Sequence, residues 1–253
     1  WLVARGLTGS SVTRNFSYVK AVINFALSEF ALDVRNPFVG VYHDRSKGVV
    51  TRGPIPLDAL RRVQRECMQI DDDIRWLVAL VSDTGMRLAE AAGLSVNDFN
   101  LQADIPFVEV RKHPWRNLKT SASARVVPLS GMALWTAQRI LQQADTSPYA
   151  FPRYNRGSRT SANSASAAIN KWLKNHVPAG CTMHSFRHSM RDRLRAVQCP
   201  ADIADQISGW ATDGVGQGYG CGYPIEVLME WMKKTVVAIE VGQRLPIVLN
   251  GVS

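Results

Sequence analysis

The sequence is poor in the features that build small stapled or membrane proteins. Its four cysteines, Cys67, Cys181, Cys199 and Cys221, are widely scattered and form no C-x-x-C pair. That spacing excludes the usual structural zinc site and a disulfide framework, and it fits a reducing compartment. No apolar run approaches the ~20 residues needed to cross a bilayer and no signal peptide opens the chain, so no membrane partner is expected. Internal repeats and low-complexity tracts are absent too. Acid is scarce: 21 Asp and Glu face 30 Lys and Arg, and the resulting +9 favours a polyanionic partner, of which nucleic acid is the commonest. What is present is apolar bulk. With 46% hydrophobic residues among 253, the chain can build one large unit and one small one. It opens on Trp1 rather than Met, and so reads as a fragment of something longer.

Residues 10–31 place Val12, Phe16, Val19, Ile23, Ala26 and Phe30 at steps of three and four, one apolar stripe of a helix capped by Ser10. A single helix cannot bury its own stripe. The "RNP" at 35–37 ends it, and a polar connector over 40–54 marks a domain boundary. From Pro56 the pattern is mostly helical with one small sheet. Helices are predicted over 56–67, 71–85, 86–93, 131–144, 162–176, 185–197, 200–208 and 224–240. Strands are predicted over 105–111 and 125–129, with a third strand and turn at 117–123 between them. The expected fold class is therefore α+β and mainly helical, with a small three-stranded antiparallel sheet. The expected domains are 1–39, a helical remnant; 40–55, a linker; and 56–253, the main unit.

Several residues sit oddly for purely structural roles. Arg87 falls in the first turn of its helix, where the macrodipole repels cations and free N–H groups attract anions. An exposed pair with Glu90 would explain it equally well. In "TMHSFRHSMRDRLR", Phe186, Met190, Leu194 and Val197 make a buried stripe. His184, Arg187, His188, Arg191 and Arg195 crowd a neighbouring face, a concentration of charge that an anion would neutralise. A zinc site from His184 and His188 is disfavoured, because no acidic third ligand lies nearby and the arginines would repel the cation. Lys119 belongs to the hairpin "NLKTSASARVVPL", and "SGWATDGVGQGYGCGYP" holds Tyr219 and Tyr223 among glycines.

Taken in order, "TGMRLAEAAGL", the hairpin lysine, "HSFRH", "SGW" and a following tyrosine resemble the tyrosine recombinases, or phage integrases, over residues 56–240. The resemblance implies a catalytic set of Arg87, Lys119, His184, Arg187, Trp210 and Tyr219, with Glu90 and His188 supporting it and Arg191 and Arg195 contacting DNA. Many family members have histidine where Trp210 stands, and an indole donates a hydrogen bond but relays no proton. Residues 1–39 resemble the end of the family's helical DNA-clamping domain. The resemblance further implies double-stranded DNA as substrate, other protomers in a tetrameric synapse as partners, a 3′-phosphotyrosyl intermediate, and neither metal nor cofactor. A type IB topoisomerase-like enzyme, an inactive DNA-binding relative and a basic interaction module are the rival readings. Tyr219 is the expected nucleophile. Tyr223, held before Pro224, is the expected anchor of the loop.

Overall fold

The computed structural model describes residues 2–49, 53–143, 147–210 and 222–239. The chain divides into two compact units, Trp1–Thr51 and Arg52–Ser253.

In the first unit, α1 spans Gly9–Glu29. Its cap is Thr8 rather than Ser10: the Thr8 hydroxyl accepts from the Ser11 N–H. Buried Asn36 staples the following segment to the helix, donating to the Lys20 carbonyl at 3.1 Å and to the Asn24 side chain at 2.6 Å. Phe16 packs with Phe38 and His43 on this side. The expected stripe is covered in part: Val12 is buried, Phe16, Ile23 and Ala26 are half-buried, and Val19 and Phe30 are exposed.

The second unit is helical around one small sheet. Its elements are α2 (Leu57–Ile70), α3 (Asp73–Thr84), α4 (Leu88–Ala92), β1 (Phe99–Asn100), β2 (Phe107–Val110), β3 (Arg125–Pro128) and α5 (Gly131–Gln142). They are followed by β4 (Asn155–Arg156), β5 (Arg159–Thr160), α6 (Ala162–Leu173), α7 (Ser185–Ala196), α8 (Ala201–Ser208) and α9 (Ile225–Thr235). The expected class holds: the chain is mostly helical with a three-stranded antiparallel sheet, ordered β1-β2-β3. The sheet is built differently from the expectation, however. Phe99 pairs with Val108 and Val110 with Arg125, so the third strand comes from before β2. Residues 117–123 form bends and a single 3₁₀ turn instead. Thr120 and Ser123 bond each other there, side chain to side chain and backbone to backbone, which competes with a ladder.

Helix α3 is the axis of the core. Trp76 to Thr84 are all buried, and α2, α5 and α7 pack around them. Helix α7 turns Phe186, Met190 and Leu194 inward, each fully buried and worth ~1.5–3 kcal/mol of transfer free energy. That anchorage fixes the polar side chains on the rest of the helix. Gly85 ends α3 at φ +62, and a Cβ there would lie 2.9 Å from Met190. This close approach brings the Gly85 carbonyl against α7. Among the described residues, no helix is long and apolar enough to cross a membrane.

Candidate active site

The site begins at a buried carboxylate. Glu90 lies in the short α4, is 3% exposed, and receives two guanidiniums. Arg87 donates from Nη1 to Oε1 at 2.6 Å, and Arg125 from Nη2 to Oε2 at 3.1 Å. The Arg87 backbone N–H adds a third bond at 3.0 Å. Burial alone would push the Glu90 carboxyl up, but Arg125 and then Arg87 hold it below its ordinary value of 4.5. Arg87 is the residue that caps α4 rather than a member of its first turn. Its remaining bonds go to the Ser123 hydroxyl at 3.1 Å and the Gly209 carbonyl at 3.2 Å. One guanidinium thus joins the lysine hairpin to the segment that carries Trp210.

Arg187 reaches the same centre from α7. It is 4% exposed and donates from Nη1 to the Gly85 carbonyl at 2.7 Å. Its Nη2 is buried with no hydrogen-bond partner among the described residues. Desolvation, then repulsion from Arg87 and Arg125, pushes its pKa down to about 10. It remains a cation at neutral pH. A buried guanidinium with an idle donor and no carboxylate of its own is suited to an anionic ligand.

Of the other expected residues, Trp210 is the one seen against this pair. The Trp210 ring lies 4.5 Å from the Arg187 guanidinium and 4.7 Å from that of Arg191. Arg191 also pairs with Asp205 at 2.5 Å, so its charge is partly spent inside the protein. Arg195 is exposed and pairs with Asp192 at 3.2 Å. His184 caps α7 at the surface with its ring 5.2 Å from that of His188. Among the described residues, no group of three His, Cys, Asp or Glu comes together to hold a metal. Lys119 is exposed in the bend four residues before Ser123, the hairpin's point of attachment to Arg87.

Tyr219 lies outside the described residues. Tyr223 does not, and it is tied down. Its phenol donates to Asp202 at 2.5 Å, while Gln206 bonds both its N–H and its carbonyl, at 2.8 and 3.0 Å. The bond to Asp202 raises the Tyr223 pKa.

Three functional-looking side chains escaped sequence reasoning: Arg125, Ser123 and Arg193. A signal for the first existed. Glu90 sits in the apolar stretch "LAEAAGL", and a buried carboxylate needs more than one cation.

Comparison with known proteins gives the family and the fold. The sequence profile of the phage integrase family matches residues 58–220. The tyrosine recombinase XerC of Proteus mirabilis is 24% identical over 224 residues, spanning 85% of this chain and 68% of that protein. In fold, the chain resembles the Tn1549 transposon integrase, solved in complex with circular intermediate DNA. The TM-score there is 0.63 at 15% identity, covering 91% of this chain and 81% of the other. The integrase of mycobacterium phage Brujita gives a TM-score of 0.57 at 14% identity over 96% and 78% of the two chains. With the family profile matched across well over half its length, the chain belongs to the phage integrase family, the tyrosine-type site-specific DNA recombinases.

Proposed function

We propose that the recombinase cleaves double-stranded DNA by attack of Tyr219 on a phosphodiester gripped by Arg87 and Arg187. The observation that carries this reading is the buried, unpartnered Nη2 of Arg187 beside Arg87. A phosphodiester resists attack until its charge is neutralised. Two guanidiniums on its non-bridging oxygens stabilise the extra charge of the pentavalent transition state. The Tyr219 Oη–H loses its proton, with His184 to orient or accept it, and the new O–P bond leaves a 3′-phosphotyrosyl link. The bond to the 5′ oxygen breaks, and Lys119 on its hairpin gives that oxygen a proton. Rejoining is the reverse.

Trp210 packs beside Arg187 and Arg191 and helps to hold the clamp, while His188 flanks His184. The tie of Tyr223 to Asp202 keeps the proton on that phenol, which favours Tyr219, with glycine on both sides, as the nucleophile. Arg191 and Arg195 serve as phosphate contacts outside the reacting centre, and a tetrameric synapse on DNA is the working assembly. Since arginines and Lys119 supply the positive charge, no metal or other cofactor takes part. Nicked duplexes drawn from DNA flanking the coding sequence, incubated with excess EDTA, test the scheme. A covalent protein–DNA adduct is expected. Loss of the adduct with EDTA and its return with magnesium or zinc would refute the metal-free mechanism.

A further inference from the structure

The mechanism uses Arg87, Arg187 and Lys119 but leaves unexplained a third buried guanidinium. Arg125 opens β3 with its side chain 4% exposed. All three of its nitrogens are engaged, each with a different segment. Nη2 donates to the Glu90 carboxylate at 3.1 Å, Nη1 to the Ser123 carbonyl at 2.7 Å, and Nε to the Ile207 carbonyl at 2.8 Å. Every nitrogen is thus committed to the protein, whereas Arg187 keeps its Nη2 idle. Burial and repulsion from Arg87 lower its pKa while Glu90 opposes them, so the fold keeps this cation against a desolvation cost.

The three acceptors are informative. Glu90 orients Arg87. Ser123 closes the hairpin that carries Lys119: its N–H bonds the Thr120 carbonyl at 3.1 Å and its hydroxyl lies 3.0 Å from that of Thr120. That hydroxyl also accepts from Arg87. Ile207 lies in the last turn of α8, three residues before Trp210. Gly209, at φ +66, packs so tightly on Arg125 that a Cβ would lie 2.5 Å from its Nη1. The Gly209 carbonyl accepts from Arg87. Arg125 and Arg87 are therefore interlocked through Glu90, Ser123 and residues 207–209, one facing inward and one facing the phosphate site.

We propose that Arg125 is a positioning residue that sets the lysine hairpin and the end of α8 in register with Arg87. It touches no substrate and acts on the reaction through Lys119, so this inference rests on the role given to that lysine above. Without it the hairpin's polar tie to the rest of the site falls to the Arg87 bond to Ser123, and a lysine on a looser hairpin spends less time within reach of the departing 5′ oxygen.

The test compares Arg125→Gln with Ser123→Ala, which deletes only a hydroxyl and keeps the variant series informative should the buried change fail to fold. Amide hydrogen exchange on the DNA-free protein is read first. Arg125→Gln is expected to lose protection jointly over 118–125 and 207–210 while α3 and α5 keep theirs. Ser123→Ala is expected to loosen the hairpin alone. Unchanged exchange, or loss throughout the core, would overturn the proposal.

Adduct formation on nicked duplexes is read second, with either a 5′ oxygen or a 5′ sulfur as leaving group. Sulfur needs no proton, so it bypasses the lysine. Arg125→Gln is expected to slow cleavage at least about tenfold with oxygen, recover most of that with sulfur, and add nothing when combined with Lys119→Ala. Equal slowing on both leaving groups, or multiplied effects in the double variant, would show that Arg125 does not work through Lys119. Should Lys119→Ala itself prove indifferent to sulfur, the lysine's role as acid fails, and the exchange pattern still decides the role of Arg125.

Discussion

Arg187 and Arg193 lie less than two turns apart on α7, one 4% and the other 7% exposed, yet their surroundings are opposite in kind. Arg193 meets a carboxylate: Nη1 donates to Asp83 and to the Thr235 carbonyl, both at 2.9 Å, and Nη2 to the Ser82 carbonyl. Asp83 in turn accepts from the Met132 N–H at 2.8 Å and from Gln64 at 3.0 Å. That node joins α7 to α2, α3, α5 and the end of α9. Arg187 has a single carbonyl and an idle nitrogen. The same side chain on the same helix thus meets a buried carboxylate in one place, with only its Nε unpartnered among the described residues, and has no carboxylate in the other. The latter faces the remaining charged groups of the site. An idle buried donor with no carboxylate of its own is suited to an anionic ligand.

The difference can be broken from either side. Arg193→Ala leaves Asp83 buried without its cation and is expected to cost ~3–5 kcal/mol of stability. For a unit of this size that lowers the melting temperature by roughly 6–20 °C, as calorimetry would show. Arg187→Ala is expected to behave in the opposite way. Its melting temperature should stay within a few degrees of wild type, while adduct formation falls by about 10²–10³-fold, the loss typical of one transition-state donor. DNA binding should weaken far less, since other basic side chains still meet phosphates. Should the two variants exchange these behaviours, the assignment of roles on α7 is wrong.

A smaller effect concerns pH. Glu90 has its folded pKa depressed below 4.5, so its contribution to stability is fully present above that value and fades as pH falls through the folded pKa. Glu90→Gln should therefore destabilise at neutral pH and flatten the acid limb of the stability curve below 4.5. An acid limb identical to wild type would mean that the carboxylate is not held by its two arginines. The smallest effect is expected at Tyr223. Tyr223→Phe loses its bond to Asp202 yet should still form the adduct, within a few-fold of the wild-type rate.

How much of this was legible in the sequence follows from the same physics. The inward stripe of α7 was readable because Phe186, Met190 and Leu194 repeat at helical spacing, and the family motifs pointed to Arg87, His184, Arg187 and Trp210. Strand β1 was not, because Phe99–Asn100 is too short to show alternation. Residues 117–123 were misread as a strand since Ser and Thr suit strands by propensity but here bond locally. Arg193 gave no signal and Arg125 gave one only through Glu90, for a shared reason. A buried arginine is recognised by its partners, and Asp83 and Glu90 lie far from them in sequence. Nothing local distinguishes Arg193 from exposed Arg195 on the next turn-face.

Which oxygen joins the DNA decides the mechanism. Adducts trapped on nicked duplex by the wild-type protein, digested and read by mass spectrometry, locate that bond directly. A nucleotide on the peptide at Tyr219, with no adduct from Tyr219→Phe despite near-normal DNA binding, is the expected result. A nucleotide at Tyr223, or an adduct that survives Tyr219→Phe, would contradict it.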